Sequence, residues 1–93
     1  MQIQRDEHGR KGAFYIDENG EWIAELTYVK TDDTMTIDHT EIAEKLRGEG
    51  IGQDLVGAAV EYARANGLKI KPLCPYAKKV IDRTPEFQDV LAK

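Results

Sequence analysis

The sequence predicts an α+β fold: an antiparallel meander of three or four strands, then a helix, one further strand and short C-terminal helices. Three observations carry this. Apolar residues alternate at period two through the first forty or so positions, they shift to helical spacing after residue 51, and glycines at 48, 50 and 52 mark the change. A chain of 93 residues has room for one domain, residues 1–93, with one modest core.

Residues 2–6 read as a short edge strand. "KGAFYIDENGEWIAELTYVK" reads as a hairpin in which Glu18-Asn19-Gly20 makes the turn, because an Asn-Gly pair accepts the positive φ angles of a tight reversal. Gly12, Phe14 and Ile16 share one face of the first strand, and Trp22, Ala24, Leu26 and Tyr28 share one face of the returning strand. A second turn at "KTDDT" leads into "MTIDHTEI", where Met35, Ile37 and His39 alternate with Thr36, Asp38 and Thr40. Beyond the glycines, Ile51, Leu55, Ala58, Ala59 and Tyr62 recur at helical spacing, and Asn66-Gly67 ends that helix. "LKIKPLC" follows as a short strand. "PYAKKVIDRT" reads as a helix with Pro75 in its first turn, and "TPEFQDVLAK" as another with Thr84 as cap, Pro85 in its first turn and Glu86 facing the positive end of the dipole.

Composition narrows the functional classes. A formal net charge of −4 argues against a phosphate-backbone partner, because nucleic-acid binders carry a basic face. No apolar run approaches the roughly 20 residues that cross a bilayer, and "MQIQRDEHGR" lacks the apolar centre of a signal peptide. The lone Cys74 suits a reducing compartment, so the expectation is a cytoplasmic protein with no membrane partner. No His/Cys pair has metal-ligand spacing.

"KLRGEGIGQDLVGAAVEYARANG" is the informative stretch. A glycine-rich turn running into a helix leaves several backbone N–H groups without partners, clears side chains from their approach, and places about half a positive charge at the helix start. Such a turn suits a phosphate or pyrophosphate; the competing reading is a sharp chain reversal and nothing more. Neither a Walker loop nor a dinucleotide fingerprint fits, since Gly-Lys-Ser/Thr is missing and Gln53 or Leu55 stands where a third glycine would be needed.

Arg47, Gly50 and Gly52 match in order the Arg/Gln-x-x-Gly-x-Gly/Ala coenzyme A loop of the Gcn5-related N-acetyltransferases. With "DHTEI", "LRGEGIGQDLV" and "PLCPYAKKVIDRTPEFQDVL", the chain resembles the very small, single-domain branch of that superfamily across residues 10–91. The resemblance implies acetyl-CoA or coenzyme A as ligand, its pyrophosphate held by the backbone of Gly48, Glu49, Gly50, Ile51, Gly52 and Gln53, with Arg47 at the entrance. It implies that the strands ending at Thr40 and Cys74 splay into a wedge for the pantetheine arm. It departs from full-length members in lacking the helix pair between the first two strands, which leaves the acceptor side open to a protein or peptide amine, a second subunit as a homodimer, or no acceptor.

Four side chains are candidates for chemistry. Cys74, preceding a helix start, is either a thiol nucleophile that forms an acetyl-enzyme or a small core residue. His39 is a general base on the face of Met35 and Ile37, or a structural histidine at a strand end. Glu41 is a base acting through water or a solvated carboxylate. Tyr76 resembles the superfamily tyrosine that protonates the departing coenzyme thiolate, or it packs on the sheet. Two functions follow: an acetyl-CoA-dependent acyltransferase acting on an exposed amine, or a non-catalytic module that keeps the coenzyme pocket or its shape and acts through protein contacts.

Overall fold

The computed structural model describes residues 2–92; Met1 and Lys93, the two ends of the expected domain, lie outside the described residues. Five strands form one sheet in the order β1 (Gln4–His8), β2 (Lys11–Glu18), β3 (Glu21–Thr31), β4 (Thr34–Ile42), β5 (Lys69–Pro72). The first four run antiparallel and β5 joins β4 in parallel. Between β4 and β5 come a 3-10 turn at Glu44–Leu46 and helix α1 (Ile51–Ala65); after β5 come α2 (Pro75–Asp82) and a 3-10 helix at Pro85–Val90. The first two strands are separated by Gly9 and Arg10 alone, so no helix pair intervenes there. No helix of the described residues is long and apolar enough to cross a membrane.

The β2–β3 hairpin turns on Asn19 and Gly20, with φ of 55° and 84°, and the Gly20 N–H donates to the Asp17 carboxylate at 2.8 Å. Phe14, Ile16, Ala24, Leu26, Tyr28, Met35 and Ile37 form the buried face of the sheet. Helix α1 lies across it from β2 to β5, with α2 beside it over β4 and β5. The row that α1 buries is Leu55, Val56, Ala59, Val60 and Ala63; Ile51, Ala58 and Tyr62, expected inside, lie at its margin. Full burial of each Leu or Val in this row is worth about 1.5–3 kcal/mol.

Two bulges interrupt the alternation. On β3, Ile16 pairs with Ala24 while Asp17 pairs with Trp22, so Ile23 is the extra residue. The expected face-sharing of Trp22 with Ala24 therefore fails: Trp22 is 39% exposed and stacks on Tyr15 with centroids 4.0 Å apart. On β4, Leu26 pairs with Thr40, Thr27 with His39 and Tyr28 with Ile37, which makes Asp38 the extra residue.

The final segment also differs from expectation. Residues 85–90 form a 3-10 helix, and the Thr84 hydroxyl donates back to the Val80 carbonyl at 2.7 Å and does not cap. Tertiary ties override helix signals here. The Arg64 guanidinium holds both Asp89 carboxylate oxygens, at 2.7 and 2.9 Å, and the Glu86 carbonyl at 2.9 Å; Leu91 pairs with Ile70 at the sheet edge.

At the far end of α1, Glu7 ties the edge strand to the core. Its carboxylate accepts the Tyr28 hydroxyl at 2.7 Å and the Arg5 guanidinium at 2.8 Å, and pairs with Lys30 at 3.0 Å. Burial pushes the Glu7 carboxyl up, but the Tyr28 and Lys30 hydrogen bonds outweigh it and the group titrates below its ordinary value. Burial lifts the Tyr28 phenol to about 12.

Candidate active site

The 3-10 turn at Glu44–Leu46 buries Leu46 and releases the chain at Arg47 in an extended conformation. Gly48 and Gly50 then take φ of 87° and 75°, the left-handed region that a side chain disfavours, and Gly50 caps α1. The first backbone bond of the helix runs from the Asp54 N–H to the Gly50 carbonyl at 3.1 Å. Among the described residues the N–H groups of Gly48, Gly50, Ile51, Gly52 and Gln53 have no partner in the protein, and no side chain caps α1. A Cβ on Gly48 or Gly50 would stand in open space, so it is backbone conformation and room for an approaching group that favour glycine there.

Gly52 is glycine for a different reason. A Cβ there would overlap the Tyr76 phenol, which reaches from the first turn of α2 across the start of α1. Sequence reasoning had assigned all three glycines to ligand clearance; this one makes room for a side chain.

Strands β4 and β5 pair from Thr34 with Lys69 to Ile37 with Pro72. The Ile37 carbonyl then accepts both the Leu73 and Cys74 N–H groups, at 2.9 and 3.0 Å, where the parallel pairing ends. Beyond that point β4 continues to Ile42 without β5 beside it. Thr40, brought to the α1 side by the bulge, accepts a hydrogen bond from the Cys74 thiol at 3.4 Å. Cys74 is 7% exposed. Burial pushes its thiol up, but the Thr40 hydroxyl and the backbone N–H groups of Ala77, Tyr76 and Thr40 favour the thiolate and hold it below its ordinary value.

A cavity of about 420 Å³ joins these features; Arg47, Gly48, Gly50, Ile51 and Gly52 line it from the loop, Thr40, Glu41 and Ile42 from β4, and Leu46 and Tyr76 close it. Eight of the twelve residues singled out from the sequence thus meet around one space, with Cys74 joined to it through Thr40. Glu49 and Gln53 are exposed and do not line it. Arg47 is exposed and takes part in no ion pair among the described residues.

His39 is not where alternation put it. Because Asp38 is the extra residue of the bulge, His39 faces away from Met35 and Ile37; its ring is 57% exposed and lies 3.3 Å from the Glu41 carboxylate. Sequence reasoning missed Ile42 and Leu46 as cavity walls, although apolar residues flanking a glycine turn were a usable signal. Among the described residues no three His, Cys, Asp or Glu side chains group as a metal site would require.

A four-stranded antiparallel meander, a crossover helix that starts in a glycine loop and a short parallel strand that ends at Pro72 define the α+β class of this chain. Residues 13–90 match the family model described as GCN5-related N-acetyl-transferase, and the chain belongs to that family. A GCN5-like protein of Staphylococcus aureus is 37% identical, with a TM-score of 0.73, covering 98% of this chain and 87% of that one. An IAA acetyltransferase of Bacillus cereus is 31% identical with a TM-score of 0.58, covering 68% of this chain and 43% of its own. Protein NATD1 of Xenopus tropicalis is 33% identical over 52 residues, 56% of this chain and 48% of that protein. The chain thus spans about half the length of the curated relative that it matches.

Proposed function

We propose that the protein is an acetyl-CoA-dependent N-acetyltransferase acting on an exposed amine. The observation that supports this most is the set of unpartnered amides at Gly48, Gly50, Ile51, Gly52 and Gln53, four residues of which line a cavity that extends to the free half of β4. Two positive-φ glycines with open space above them fit a pyrophosphate seated on main-chain N–H groups, and Arg47 adds an unpaired charge beside it. The backbone groups of Glu41 and Ile42 on the edge away from β3 offer partners to the amides of a pantetheine arm. When bound, acetyl-CoA supplies an activated thioester.

Cys74, whose thiolate form Thr40 and the α2 amides favour, is the nucleophile in this reading: its sulfur forms a bond to the acetyl carbon as the bond to the coenzyme sulfur breaks. Tyr76, in the cavity wall, is the acid for the departing thiolate. The acetyl group then passes from Cys74 to the amine nitrogen, which loses a proton; Glu41, whose carboxylate sits 3.3 Å from the His39 ring on the sheet face away from Cys74, is the candidate base only through water. The absence of a helix pair between β1 and β2 favours a protein or peptide amine, and a second copy of the chain would close the open side as a homodimer. We place this minimal domain in the cytoplasm.

A second reading, a coenzyme-binding module without transfer, draws support from one observation: the bulge turns His39 away from Cys74, so the chain's two histidines supply no base at the thiol. One experiment separates the two. Acetyl-CoA at about 100 times its Kd should stabilise the fold by about 2.7 kcal/mol, where adenosine should do nothing. Intact mass after incubation should show one acetyl group that Cys74→Ala loses. Stabilisation without mass gain removes the acetyl-Cys74 step, and stabilisation with no release of coenzyme thiol in the presence of a protein amine favours the binding module; no stabilisation refutes both.

A further inference from the structure

The β4 bulge decides what faces Cys74. With strict alternation after Ile37, His39 and Glu41 would point toward α1, and Thr40 and Ile42 away. With two residues, Asp38 and His39, opposite Thr27, the order is inverted: Thr40 pairs with the buried Leu26 and meets the thiol, and His39 turns to the other face. A bulge moved one position along β4 would undo this, because each one-residue slip exchanges the faces of everything beyond it. Something must therefore hold the extra residue at 38.

The contact at that place is specific. The Thr27 hydroxyl, on the strand opposite, donates to the Asp38 carboxylate at 2.6 Å, a short charge-assisted bond between the bulge residue and the one residue it faces. Asp38 takes part in no ion pair among the described residues, so this hydrogen bond is the polar tie that its side chain makes there.

We propose that Thr27 and Asp38 are positioning residues: their hydrogen bond fixes the bulge at residue 38 and so determines that Thr40, and not His39, meets Cys74 where β4 and β5 part. The inference rests on the reading of Cys74 and Thr40 as parts of the acyl-transfer site. Its test uses the thiol without coenzyme, so a failure of coenzyme binding and a failure of the pin are told apart.

The test is the pH titration of Cys74, followed by the Cβ resonance of isotopically labelled cysteine, a single signal because the chain has one cysteine. Thr27→Val and Asp38→Ala remove the bond; the thiol should lose its Thr40 partner and its midpoint should move up in pH. Thr27→Ser and Asp38→Asn keep a donor and an acceptor, and should titrate like the native chain. Thr40→Val should reproduce the upward shift, and adding Thr27→Val to it should shift the midpoint no further. Should Thr27→Val or Asp38→Ala fail to fold, Asp38→Ser, which draws the acceptor back while keeping a polar group on an exposed strand face, provides the same comparison. A native midpoint in the folded disruptive variants, or an equal shift in the conservative ones, would overturn the assignment.

Discussion

Gly52→Ala separates the fold of the site from its chemistry. Gly52 is the second residue of α1 and its backbone is already helical, so alanine brings no conformational penalty and gains up to about 1 kcal/mol of helix propensity. Against this, the new Cβ would overlap the Tyr76 phenol oxygen and lie 2.6 Å from its Cζ and 2.7 Å from its Cε2. The ring is 38% exposed and can swing outward, at a cost of about 0.5–1.5 kcal/mol for a displaced rotamer plus some lost packing. In the native background the two effects nearly cancel. In a Tyr76→Ala background only the gain remains. The coupling between the positions is therefore about 1–2 kcal/mol. In a domain of this size that separates the two effects on Tm by about 5–10 °C. Thermal unfolding of the four proteins followed by circular dichroism measures it. An equal Tm shift from Gly52→Ala in both backgrounds would refute the contact. The displaced phenol no longer lines the cavity, so acetyl uptake by Cys74 should slow even where Tm is unchanged.

Three further outcomes follow from the same geometry. Gly50→Val forces a branched side chain into a left-handed conformation at about 1–2 kcal/mol or slightly more, and stands in the cavity; the chain should remain folded and lose acetyl-CoA binding by calorimetry. Arg47→Ala should weaken that binding modestly, and the difference from the native chain should shrink as salt rises from 0.05 to about 0.5 M; a salt-independent difference would leave Arg47 without an electrostatic role. The Glu7–Tyr28 tie should show at both ends of the pH range in denaturant titrations. Tyr28, raised from 10.0 to about 12 in the folded chain, contributes stability that is whole below pH 10 and is lost as pH rises through 12, roughly 2–3 kcal/mol in all. Glu7, lowered on folding, contributes stability present above the ordinary carboxylate range and lost as pH falls through its folded value, so Glu7→Gln should flatten the acid limb.

How legible this was in the sequence depended on whether a signal was local. The Asn19-Gly20 turn, the glycine loop and the start of α1 are each written within a few residues, and each formed near its expected bounds. What could not be read was phase. Period-two counting assumes one residue per step, and a single extra residue reverses faces across it: Ile23 separates Trp22 from Ala24, Leu26 and Tyr28, and Asp38 reverses His39 and the residues after it. The contact proposed to set the second bulge, Thr27 on Asp38, joins residues eleven positions apart that show no pattern in one sequence. Residues 85–90 failed likewise, since Arg64, a distant side chain, decides their conformation.

The topology brings the features assigned above to a coenzyme to one edge of the sheet. A parallel partner for β4 requires a crossover, and the crossover helix must begin where β4 ends, so the unpartnered amides of α1 arise beside the free half of that strand. The next helix must likewise begin where β5 ends, which brings Cys74 and Tyr76 to the same edge. The unpartnered amides, the free half of β4 and the thiol are thus consequences of one parallel pair and its two connections. The proposed acceptor side has no such support from the topology: β1 joins β2 through two residues, with no helix pair between them. An acceptor that carries its own surface should therefore be acetylated with a far lower KM than the same amine as a free amino acid. Equal kcat/KM for lysine in a folded protein and as a free amino acid, read by release of coenzyme thiol, would count against an open acceptor side.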